Sequence, residues 1–108
     1  MDFSDYQKRA RDTAIYPREY KLVYPALGLA GEAGEVAEKV KKIIRDKGGE
    51  ISAEDRDAIR KECGDVLWYL AQIASDLEFN LDSFAVANIE KLRLRKEKGT
   101  LQGSGDDR

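Results

Sequence analysis

Four acidic residues stand out by type and spacing: Glu32 and Glu35, then Glu62 and Asp65. Each pair is three positions apart, and a helix turning about 100° per residue puts such a pair on one face. Like charges at that spacing repel, and the cost grows when they are partly buried. Most glutamates beside an apolar face are solvated or paired with a lysine. Glu38 fits that description, with Lys42 one turn on, and Glu35 has Lys39 in the same relation. Glu32, Glu62 and Asp65 are expected to lack a basic partner on their own helices, with Glu32 facing Glu35 and Glu62 facing Asp65 instead. Two such pairs converging on one another need a cation between them. A hard divalent ion suits carboxylate oxygens, and Mg²⁺ with retained waters is the best match. The chain has no histidine and one cysteine, Cys63, which argues against zinc and excludes histidine-based catalysis. The helical di-iron proteins also pair carboxylates, but they require a Glu-x-x-His that this chain lacks.

A second group of polar residues, Asn88, Lys91 and Arg95, follows at i, i+3 and i+7 along the edge of another apolar stripe. Lysines and arginines near a helix C-terminus favour the macrodipole, and that suffices for Lys96 and Lys98. An amide near the centre of a stripe wants a defined partner. Arg95 offers a forked contact to phosphate, Lys91 a point charge, and Asn88 a hydrogen bond. Spacing alone leaves the solvated helix end and the phosphate site equally open.

These residues need helices to position them, and the periodicity predicts four helices and no strand. The first runs from Phe3 to Ile15, before Tyr16-Pro17. The second spans Lys21 to Asp46, with Pro25 in its first turn or kinking it, and Lys47-Gly48-Gly49 ending it. The third starts at Ser52, which forms a capping box with Asp55, and continues to Glu78. The fourth begins at Leu81 and runs to Lys98. Leu22, Leu29, Ala33, Val36, Val40 and Ile43 make the apolar stripe of the second helix, with Glu32 and Glu35 on its flank. Ile59, Cys63, Val66, Leu70, Ile73, Ala74 and Leu77 make that of the third, with Glu62 and Asp65 in the same rotational sense. Leu81, Phe84, Ala85, Ile89 and Leu92 make that of the fourth. Gly28, Gly31 and Gly34 lack the spacing and preceding strand of a dinucleotide fingerprint, and small residues there read as close helix packing. Residues 1–98 therefore form one all-α domain, and 99–108 a glycine-rich tail, either mobile or folded over a bound ligand.

The bulk numbers narrow the function classes. At 108 residues the chain buries a modest core, which favours self-assembly. Apolar residues at 42% suffice for a globular fold, and a net charge of −2 gives no basic field to draw nucleic acid. No run resembles a signal peptide or spans a membrane, and one unpaired cysteine fits a reducing cytoplasm.

With the residues placed, the sequence resembles the MazG-like all-α nucleoside triphosphate pyrophosphohydrolases. The family mark, Glu-x-x-Glu then Glu-x-x-Asp, stands here as Glu32-Ala33-Gly34-Glu35 and Glu62-Cys63-Gly64-Asp65. The flanking Leu27-Gly28-Leu29-Ala30-Gly31, Val66-Leu67-Trp68-Tyr69-Leu70 and Asn88-Ile89-Glu90-Lys91-Leu92 match as well. The resemblance implies a four-helix bundle assembled as a dimer or tetramer. It implies cleavage of an NTP or dNTP to the monophosphate and pyrophosphate, in nucleotide-pool housekeeping. Glu32, Glu35, Glu62 and Asp65 would then carry Mg²⁺, or Mn²⁺ in its place, with Glu32 or Glu35 accepting the proton of the attacking water. Lys91 and Arg95 would steady the triphosphate. Tyr69 has the surface to pack on sugar or base, although aromatic side chains serve more often in simple packing, and an exposed Trp68 would mark an interface. A non-catalytic helical module that oligomerises or holds a structural ion is the competing reading, with no turnover.

Overall fold

The computed structural model describes residues 1–108 and contains four α-helices, one short 3₁₀ turn and no strand. Helix α1 is Phe3–Arg11, α2 is Val23–Lys47, α3 is Ala53–Asp76 and α4 is Leu81–Lys98. The Ser52–Asp55 capping box at the head of α3 is present in both directions. Gly48 and Gly99 close α2 and α4 in the left-handed conformation, at φ of 62° and 72°.

Three helix ends fall short of the periodicity. Helix α1 stops at Arg11 rather than Ile15. The amides of Asp12, Thr13 and Ala14 bond three residues back, to the carbonyls of Arg9, Ala10 and Arg11. The Thr13 hydroxyl also donates to the Ala10 carbonyl at 2.9 Å. This tightening leaves Ile15 outside, 93% exposed, and turns Tyr16 into the core. Helix α2 starts at Val23, two positions after Lys21, because Leu22 takes a positive φ of 64°. Pro25 is then in the first turn, where its missing N–H costs no hydrogen bond. Helix α3 ends at Asp76 rather than Glu78, which itself has a φ of 64°.

One buried carboxylate ties these ends together. The Asp76 side chain is fully buried and accepts from Arg11 at 2.9 Å, Tyr16 at 2.7 Å, Arg18 at 3.1 Å and the Leu22 amide at 2.8 Å. Burial alone would raise its carboxyl, but these donors outweigh it and hold it at about 2. The hydrogen bond to the Leu22 amide compensates for the strained backbone there. Buried Gln72 completes the layer, accepting from Arg11 and donating to the Ala10 carbonyl.

Helices α2 and α3 form a long hairpin, and α1 and α4 lean on α3 and on each other. The small core of Ala10, Ala71, Ala74 and Leu81 lies where α1, the second half of α3 and the start of α4 meet, with Tyr6, Leu67, Trp68, Leu70 and Phe84 packed around it. Much of the predicted apolar surface is uncovered. Ile43 is buried and Val36 half-buried, but Val40 is 41% exposed. On α4, Leu81 is buried while Ile89 is 67% exposed. The radius of gyration is 16.7 Å, against about 13 Å for a compact chain of this length.

Among the glycines of α2, only Gly28 sits at a close approach, against the Tyr69 ring; Gly31 and Gly34 face open space. The packing role expected of all three therefore holds within the chain for Gly28 alone. Trp68 packs, as the favoured reading of the aromatics expects, half-buried beside the core rather than exposed at an interface, and its indole N–H donates to Thr13 Oγ1 at 2.8 Å. The tail does not extend away from the bundle. It curls back on α4 through Asp106, which meets Lys91 and Arg95, and closes on itself where the Arg108 guanidinium donates to the carbonyls of Thr100, Leu101 and Gly105.

Candidate functional site

The α2–α3 hairpin brings Glu32, Glu62 and Asp65 together. One carboxylate oxygen from each lies within 4.8 Å of the others. Glu32 and Glu62 are half-buried and Asp65 is exposed, so the cluster opens to solvent at the side of the hairpin. Glu35, one turn along α2, is exposed and stands outside this group. Three of the four carboxylates thus converge and the fourth does not.

Local ion pairs separate these acids from their neighbours. Glu38 is held by Lys41 at 2.9 Å and by Lys42 at 3.9 Å. Lys39, expected to pair with Glu35 along the helix, instead reaches across the hairpin to Glu62 at 3.7 Å. Lys61 lies one turn before Asp65, yet it pairs with Asp57 at 3.3 Å. The Glu32 carboxyl is pushed above the ordinary glutamate range, first by burial and then by the charges of Asp65, Glu62 and Glu35. One lysine at the edge does not offset that repulsion. The donor set is all carboxylate oxygen, which fits a hard divalent cation such as Mg²⁺ or Mn²⁺.

Two phenols border the carboxylates. Tyr69 follows Asp65 by one turn on α3, and its hydroxyl is raised by burial, then by Tyr24, Glu32 and Asp65. Tyr6 of α1 is raised by burial and then by Asp65. Tyr6 also lines an apolar hollow of about 370 Å³ with Met1, Phe3 and Leu67. Nothing in the spacing of α1 singled out Tyr6, because its relation to Asp65 is purely tertiary. Asp76 was equally unremarked, although an aspartate between Ile73, Ala74 and Leu77 on a buried stripe is itself a signal.

The basic group of α4 has a different setting. Lys91 Nζ is 2.7 Å from Asp106 Oδ1, and Arg95 Nη2 is 3.1 Å from the same oxygen. Arg95 also donates to the Asp106 carbonyl at 2.5 Å. Its guanidinium is buried, and Nε has no partner. Lys91 and then Arg95 hold the Asp106 carboxyl below its ordinary range. Asn88 is exposed and lacks the defined partner that its place on the stripe suggested. Within one chain, α4 leans on α1 and α3, and its cations are engaged by the tail.

The chain is an all-helical protein in which carboxylates converge from the two antiparallel helices of a hairpin. Residues 25–100 match the MazG nucleotide pyrophosphohydrolase domain, and the chain belongs to that family. It is also 50% identical to the Gene 37 protein of Mycobacterium phage L5, over the full length of both. No solved structure matches the chain.

Proposed function

We propose that this protein is a Mg²⁺-dependent pyrophosphohydrolase that cleaves an NTP or dNTP to the nucleoside monophosphate and pyrophosphate. The convergence of Glu32, Glu62 and Asp65 within 4.8 Å carries the reading, alongside membership of the family. These three would hold the ion, with Glu35 joining by a rotamer change. A bound Mg²⁺ or Mn²⁺ would offset charge on the phosphate oxygens and lower the pKa of a water. Glu32, beside the other carboxylates, is one candidate for accepting the proton of the attacking water. Glu35, free of any ion pair, is the second candidate.

Asn88, Lys91 and Arg95 are proposed to bind the triphosphate. Their support is that Lys91 and Arg95 already grip one anion, the Asp106 carboxylate. Tyr69 and the hollow beside Tyr6 offer the nearest apolar surfaces to a sugar or base. Residues 1–98 would act as the catalytic unit and 99–108 as a strap on α4. The uncovered faces of α2 and α4 support a homodimer or homotetramer. A single exposed thiol, Cys63, suits a reducing cytoplasm, and no helix is long and apolar enough to cross a membrane. Purified protein incubated with each NTP and dNTP and Mg²⁺ should release pyrophosphate from at least one of them. A helical module without catalysis releases none.

A further inference from the structure

Gly28 and Tyr69 meet where α2 and α3 come closest to the carboxylates. A Cβ built on Gly28 would fall 2.6 Å from Tyr69 Cδ1, and nearer still to Cε1 and Cζ. Real Cβ atoms do not come so close, so the ring rests directly on the α2 backbone. The ring has little room to swing aside. Trp68 meets it edge-on at 5.0 Å between centroids, and Tyr24 lies at 6.3 Å. Tyr24 is itself stacked on Tyr16 at 4.9 Å, and Tyr16 is bonded to buried Asp76. A side chain at position 28 would therefore push α2 away from α3. Glu32 is one turn beyond Gly28, and Asp65 is one turn before Tyr69, so the ring sets the gap that these two carboxylates span.

We propose that Gly28 and Tyr69 are a positioning pair: the Tyr69 ring, seated on the bare backbone of Gly28, is the spacer that sets the Glu32–Asp65 separation for a divalent cation. This rests on the proposed metal role of the carboxylates. The phenol oxygen takes no part, so Tyr69→Phe keeps the spacer and Tyr69→Ala removes it.

The test is titration of the full chain with Mn²⁺ alone, followed by calorimetry. Gly28→Ala should weaken binding about tenfold, as loss of a supporting residue behind metal ligands does. Tyr69→Ala should weaken it similarly, and Tyr69→Phe should bind as the unaltered protein does. Because both changes act on one contact, Gly28→Ala/Tyr69→Ala should bind no more weakly than the weaker single variant. Gly31→Ala, facing open space, is the control and should change nothing. Mn²⁺ affinity unchanged by Gly28→Ala, or losses that multiply in the double variant, would overturn the proposal. If Gly28→Ala does not fold, Tyr69→Phe binding as weakly as Tyr69→Ala overturns it instead. Unaltered protein that binds Mn²⁺ but hydrolyses no nucleotide would refute the enzymatic reading and leave the spacer standing. Unaltered protein that binds no Mn²⁺ would refute the spacer.

Discussion

At the scale of single residues, the informative feature of the acids is what their neighbours do. Glu32 is half-buried among carboxylates, and no cation lies one turn from it on its own helix. Its raised carboxyl makes a charged site costly in the absence of metal. A carboxyl raised by folding contributes stability that is present at low pH and lost as pH rises through its folded value. The Asp65→Asn variant relieves that repulsion. It should abolish most pyrophosphate release while matching or exceeding the unaltered protein in thermal stability without metal. A variant that melts early would show Asp65 to be structural. Sequence separated Glu38 from the other acids, because its lysines lie on the same helix. It could not place Lys39, whose partner is across the hairpin, nor show that Glu35 stands apart, because one turn of helix carries it past the cluster.

At the scale of elements, the helices were legible because their apolar spacing and caps are local. Ser52 with Asp55, and the glycines after α2 and α4, announce themselves in the chain. The end of α1 was not legible, because it depends on where Tyr16 must go. Tyr16, Arg11, Arg18 and the Leu22 amide all converge on Asp76, far away in sequence. Removing this carboxylate strands two guanidinium groups and unpins the start of α2. Asp76→Ala should cost about 3 kcal/mol in denaturant unfolding, as loss of one partner from a buried ion pair does. The sign with pH is fixed. Folding lowers this carboxyl from 3.8 to about 2, so its stabilisation is complete above 3.8 and disappears as pH falls toward 2. The unaltered protein should lose stability across that window, and Asp76→Ala should lose less. Equal slopes for the two proteins would assign the acid sensitivity to other groups.

At the scale of the molecule, the open shape is the main finding. Val86 and Ile89 on α4, and Leu27 and Ile44 on α2, are each at least 65% exposed. A small core and uncovered apolar faces are what a subunit shows when separated from its assembly. Light scattering at micromolar concentration should give a mass of two or four chains. A charged residue at Ile89, such as Ile89→Lys, should lower that mass without unfolding the helices. A monodisperse monomer would mean that these faces are simply solvated. The sequence suggested assembly from its length and from the family it resembles, and could not locate the faces, which depend on how far α4 swings from α2.

The central claim is that the α2–α3 carboxylates serve triphosphate cleavage. Its most direct test is quantified release of pyrophosphate and monophosphate from a panel of NTPs and dNTPs, with Mg²⁺ and with excess chelator. The account predicts equimolar monophosphate and pyrophosphate from at least one nucleotide, abolished by the chelator. No pyrophosphate from any nucleotide, or release of orthophosphate and diphosphate instead, would contradict it.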